Sequence, residues 1–114
     1  MVTQTIALNI ANAYLKELQM IGINVEKAVL FGSFAKNQQN EWSDIDLALF
    51  AKDFIGLTVI DKERFRRVHI LPKYMTIEAH TFPLSIWDEN DPFVEEIKRT
   101  GLIINNTNTP SEPA

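Results

Sequence analysis

The sequence contains no cysteine, which excludes disulfides, thiolate zinc sites, iron–sulfur clusters and a cysteine nucleophile. That absence fits a reducing compartment, so the cytoplasm is the expected location. A basic excess is missing too: 11 Lys+Arg stand against 15 Asp+Glu, a net charge of −4, and the pI is about 5.1. A general electrostatic grip on nucleic acid is therefore not expected, and any polyanion has to be held locally. Nor is there a long apolar run near the start. Residues 1–21 carry no cation before Lys16 and no unbroken hydrophobic stretch, so they read as neither a signal peptide nor a membrane anchor. What is present is 114 residues with 46% hydrophobic and 23% charged side chains. That describes one small soluble globular domain and excludes a two-domain enzyme.

Ala7, Ala11, Tyr14, Leu15 and Leu18 recur at helical spacing and predict an amphipathic helix against a core, ended by Gly22. Lys27-Ala28-Val29-Leu30-Phe31 is a short apolar run halted by Gly32-Ser33. It reads as a buried strand entering a tight turn, with a brief helical turn over residues 34–36 and a polar loop over 37–41. Residues 43–50 open with alternating polar and apolar side chains and close fully apolar, a second strand whose first half faces something polar. Residues 61–68 suit a helix with Asp61 at its N-cap, Phe65 and Val68 on one face, and Pro72 as its end. Residues 75–82 alternate again, giving a third strand that stops before Pro83. Asp91 and Pro92 then start a helix as N-cap and first helical residue, with Glu95 and Glu96 early, Lys98 and Arg99 late and Gly101 as the stop. Residues 105–114 hold no apolar side chain before the terminal Ala114 and are expected to form a disordered tail.

Asp44 and Asp46 lie one residue apart on a predicted strand, so both carboxylates share a face and Ile45 and Leu47 take the other. Two like charges so close repel, and a hard divalent cation such as Mg²⁺ or Mn²⁺ is one arrangement that compensates them. The alternative is that Asp44 caps a turn while Asp46 ends a solvated strand. Gly32-Ser33 adds weight to the first reading: glycine lets backbone N–H groups approach a phosphate, and the serine hydroxyl can bind an outer phosphate oxygen. Glu78, between Ile77 and Ala79 on the third strand, needs solvent, a cation or a metal.

The order Phe31-Gly32-Ser33, then Asp44-Ile45-Asp46, then Glu78 on a later strand resembles the nucleotidyltransferase fold of the DNA polymerase beta superfamily. The nearest likeness is to the minimal nucleotidyltransferases (MNT), which pair with HEPN-domain proteins in toxin–antitoxin modules. The resemblance implies an α/β (α+β) palm-like fold over residues 1–104, a small mixed sheet of about three or more strands flanked by helices. It implies that Gly32 and Ser33 hold a triphosphate, that Asp44 and Asp46 bind two Mg²⁺ ions, and that Glu78 supplies the third carboxylate. Lys36 stands where the family often has a basic residue, Asn37 where a glycine is common, and Glu78 where aspartate is frequent. The implied reaction is transfer of a nucleoside monophosphate, AMP from ATP, to a hydroxyl on a HEPN-domain toxin, with this chain as antitoxin. A palm of this size shows no second domain to present the acceptor, which also points to a partner chain; homo- or hetero-oligomers are both open.

Other residues carry two readings. The basic cluster Lys62, Arg64, Arg66, Arg67, His69 and Lys73 is a solvated helix face, or it docks an acidic partner or nucleic acid. His80 shares a face with Glu78 and is a structural or rim residue, or an active-site contact; His69 is expected at the surface. Trp42 either anchors its loop or stacks on a base, Trp87 with Phe82, Leu84 and Ile86 is expected in the core or at an interface with Phe93 and Ile97 packed beneath it, and Met20 and Met75 are expected to fill gaps. Two further functions compete with transfer to a protein: a non-catalytic scaffold that neutralises its partner by binding, and a transferase acting on a small molecule or an RNA end.

Overall fold

The structure, a computed structural model that describes residues 2–104, begins with α1 (Gln4–Met20), which is capped where Thr3 Oγ1 accepts from the Ile6 N–H at 3.2 Å. Its five expected core residues, Ala7, Ala11, Tyr14, Leu15 and Leu18, are all buried. The chain continues through β1 (Lys27–Phe31), β2 (Ile45–Ala51), α2 (Thr58–Glu63), α3 (Arg66–His69), β3 (Ile77–Pro83), α4 (Pro92–Thr100) and β4 (Leu102–Ile104). Short 3₁₀ turns at Pro72–Tyr74 and Leu84–Asp88 flank β3. The expected tail, 105–114, lies outside the described residues.

The four strands form one mixed sheet in the order β3-β2-β1-β4. β1 is antiparallel to both β2 and β4, and β2 runs parallel to β3 with Asp46 opposite Glu78. The period of two then builds two cores. Ala28, Leu30, Ile45, Leu47, Leu49, Ile77 and Ala79 face α1, Phe65, Val68 and Tyr74, while Val29, Ala48 and Phe50 face Val94 and Ile97 of α4. The mixed α/β architecture with helices on both faces is the one expected.

Several local expectations need correction. Asp61 does not cap a helix; α2 starts at Thr58, and the Asp61 carboxylate is buried inside the domain, 2% exposed. The single helix expected over 61–68 is broken into α2 and α3 between Glu63 and Arg66. β4, unforeseen at only three residues, exists because Gly101 lets the chain turn onto β1: a Cβ there would meet Ile97 O at 2.5 Å and Val29 Cγ1 at 2.6 Å. Met20 and Met75 fill no gap, being 82% and 77% exposed. His69 is half-buried, its Nδ1 accepting from Tyr14 Oη at 2.8 Å when the ring is neutral. By contrast α4 forms as expected, with Asp91 Oδ1 accepting from the Val94 N–H at 3.1 Å, Pro92 at its start and Gly101 at its end. Trp87 packs edge-on to Phe50 at 5.0 Å and lies under Lys98 Nζ at 4.6 Å.

Candidate active site

Three elements converge at one end of the sheet. β1 runs straight into Gly32, the first residue of the turn, whose φ of 76° is open to glycine and strained for other residues. A Cβ at this position would also run into Asp46 Oδ2, with Asp46 Cγ at 3.2 Å, so the missing side chain is what lets the Asp46 carboxylate lie over the turn. After Gly32 the backbone coils tightly: Lys36 N–H donates to Gly32 O at 3.2 Å and Gln38 N–H to Ser33 O at 2.8 Å. The coil ends at Asn37, φ 56°, a left-handed conformation that asparagine tolerates better than most residues. Among the described residues, the N–H groups of Ser33, Phe34 and Ala35 make no hydrogen bond, so the turn presents free donors beside the Ser33 hydroxyl.

Gln4 was not anticipated as part of this arrangement. Its Nε2 donates to Phe34 O at 2.9 Å and Ala35 O at 3.3 Å, tying the start of α1 to the carbonyl side of the turn and leaving the N–H side open. Nothing in the sequence marks that contact, because the acceptors are backbone atoms about thirty residues away.

Asp46 is half-buried on β2, opposite Glu78 in the parallel ladder and Phe31 in the antiparallel one. Burial pushes its carboxyl above the ordinary value; His80 pulls it back, and the charges of Asp44 and Glu78 add to the rise. His80 Nε2 is 3.8 Å from Asp46 Oδ1, too long for a hydrogen bond, and is buried with no hydrogen-bond partner. The His80 ring is held edge-on by Phe31 at 5.2 Å, and Phe93 stands on the other side of Phe31 at 5.7 Å. Asp44 lies just before β2 and is exposed; Glu78, second residue of β3, is exposed as well, so solvent rather than a partner satisfies it. Lys36 is exposed on the coil. Trp42 anchors nothing: it is 84% exposed, and the loop is held instead by Asn40, whose Oδ1 accepts from Trp42 N–H at 2.8 Å and whose N–H donates to Ser43 Oγ at 2.9 Å.

The structure thus brings Gly32, Ser33, Asp44, Asp46 and Glu78 to one end of the sheet. Among the described residues no three His, Asp or Glu side chains close on a common point. The donor set nevertheless fits a hard cation. Asp46 is a half-buried carboxylate that accepts no hydrogen bond, Asp44 and Glu78 are close enough to raise its pKa, and the neighbouring imidazole nitrogen is unpartnered. Such an end can hold a cation-neutralised polyphosphate between its carboxylates and the N–H groups of the coil.

The sequence matches the family described as Polymerase beta, Nucleotidyltransferase over residues 11–109. The fold is similar to that of a Sulfolobus solfataricus protein, a proposed nucleotidyltransferase, with a TM-score of 0.61, 20% identity, and coverage of 88% of this chain and 80% of that one. No curated protein matches the chain. Among the described residues no helix is long and apolar enough to cross a membrane.

Proposed function

The chain belongs to the polymerase beta nucleotidyltransferase family, and from that premise we propose that it transfers AMP from ATP to a hydroxyl on a partner protein. The partner we infer is a HEPN-domain toxin, which makes this chain the antitoxin of the pair. The observation that supports transfer most directly is Asp46: a carboxylate taken partly out of water and left without a hydrogen-bond donor, beside two more acids and above a turn with free N–H groups. An acid so placed costs stability unless a cation offsets it.

Asp44 and Asp46 would hold the Mg²⁺ ions, with Glu78 as the third carboxylate, and the metal would supply charge neutralisation at the attacking and leaving oxygens. The Gly32–Ser33 turn binds the outer phosphates through its N–H groups and the Ser33 hydroxyl, and Lys36 reaches the same phosphates from the coil. That grip fixes the α-phosphorus in line with an acceptor hydroxyl. The acceptor oxygen bonds to the α-phosphorus, the bond from that phosphorus to the bridging oxygen breaks, and pyrophosphate leaves. Glu78, exposed at the start of β3, takes the hydroxyl proton. The deciding experiment incubates the chain, ATP and Mg²⁺ with the cognate HEPN protein and weighs that protein by intact mass spectrometry. Gain of one AMP, lost with Asp46→Asn, is the expected result; an unchanged mass sinks the proposal.

A further inference from the structure

Eleven large hydrophobic side chains stand exposed among the described residues, and five of them fall within residues 55–70: Ile55 59%, Leu57 59%, Val59 78%, Ile60 54% and Ile70 64%. Scattered exposed aliphatics need no explanation, but two of these five, Val59 and Ile70, line one groove. The same stretch is the basic part of an acidic chain. Arg64 is neutralised by Asp53 at 2.8 Å and Lys73 by Glu17 at 2.7 Å, whereas Lys62, Arg66 and Arg67 make no ion pair among the described residues. A shallow groove of about 300 Å³ runs between Val59, Lys62, Arg66, His69 and Ile70, with Glu63 as the one acid on its rim.

We propose that this face docks a protein partner through an acidic amphipathic helix, whose apolar stripe covers Val59 and Ile70 and whose carboxylates meet Lys62 and Arg66. Charge complementarity selects an anionic occupant, and the aliphatic lining selects protein over RNA, because no exposed aromatic in the stretch offers a base a stacking platform. The face is rigidly joined to the strand that carries Glu78: Thr81 N–H donates to Thr58 Oγ1 at 3.1 Å, and Thr81 Oγ1 donates to Asp61 at 2.8 Å. A partner seated there is held in fixed register with β3. Docking is independent of the transfer reaction, since it is read without nucleotide.

The test titrates the full ¹⁵N-labelled chain with four probes: a synthetic helical peptide with Leu at helical spacing and Glu on its flanks, a scrambled peptide of the same composition, oligouridine RNA, and phosphatidylserine vesicles. The expected result is amide shifts confined to residues 55–70 with the amphipathic peptide. Affinity should fall about tenfold in Lys62→Glu/Arg66→Glu, and also in Val59→Asp, with the spectrum elsewhere unchanged. Shifts at another face, no binding, equal binding of the scrambled peptide, tighter binding of RNA or vesicles at this face, or indifference to the substitutions each overturn the proposal.

Discussion

Asp46 and Asp61 are both aspartates drawn into the domain, and the fold treats them in opposite ways. Asp61, 2% exposed, accepts from Ile55 N–H at 3.0 Å, Gly56 N–H at 2.9 Å and Thr81 Oγ1 at 2.8 Å. Its oxygens are engaged inside the protein, closing the loop after β2 and locking α2 to β3. Asp46 receives no such donors; the nearest cationic candidate, His80 Nε2, stops at 3.8 Å. A carboxylate surrounded by backbone N–H groups is structural, while one held in half-burial with its lone pairs unclaimed is available to something that arrives from outside.

The sharpest way to break this contrast is Asp46→Asn. Transfer should fall by about 10³-fold or more in a mass-based AMP-transfer assay, while the melting temperature rises. The sign follows from the direction of the shift: because the folded carboxyl sits above its ordinary value, Asp46 favours the fold when protonated and loses that advantage as pH rises through its folded pKa. The stability gain of Asp46→Asn should therefore be larger at pH 7 than at pH 4, and a destabilised variant would place Asp46 in the same class as Asp61. Asp61→Ala should do the reverse, costing about 3 kcal/mol in denaturant unfolding, since it leaves two N–H groups and the Thr81 hydroxyl without their acceptor. Gly32→Ala should cost about 2 kcal/mol through its positive φ and its collision with Asp46. In an Asp46→Ala background the collision is gone, so the penalty should shrink toward the backbone part alone.

A smaller effect concerns His69, which sides with Asp61 in having a partner. Burial, with Lys62 contributing, lowers its pKa below 6.5, so the fold favours the neutral ring that accepts from Tyr14. Stability in thermal melts should then fall as pH drops from 6.5 toward the folded pKa, and Tyr14→Phe should cost about 1 kcal/mol at neutral pH. Least of all, Trp42→Ala should move stability by less than about 0.5 kcal/mol, because nothing packs on that ring.

What the sequence made legible follows from how local each cause is. α1 and α4 were readable because caps and periodicity act within a few residues, and the turn at Gly32, Asp46 on β2 and Glu78 on β3 were readable from a glycine stop and strand alternation, whereas Asp44, read as part of the strand, stands just before it. The role of Asp61 was not readable: its position before Phe65 and Val68 imitates an N-cap, and only the return of the chain from Ala51 through Gly56 brings its donors into reach. β4 escaped because three residues carry too short a pattern and depend on a vacancy at Gly101 that tertiary packing defines. The exposed aliphatics of residues 55–70 carried no periodic pattern in the sequence, and their exposure follows from the break between α2 and α3.

The parallel pairing of β2 with β3 carries a kinetic consequence. The turn follows β1 and Asp46 lies on β2, two strands joined by residues 32–44, whereas Glu78 reaches its place only after the longer crossover through residues 52–76 has folded over the sheet. Closing the longer loop costs more chain entropy, and long-range parallel pairings form late. A newly made chain should therefore form the Gly32 turn beside Asp46 before Glu78 takes its place on the neighbouring strand. A chain stalled before β3 docks would carry Asp46 without the carboxylate that stands opposite it, so the charge crowding around Asp46 is a late product of folding.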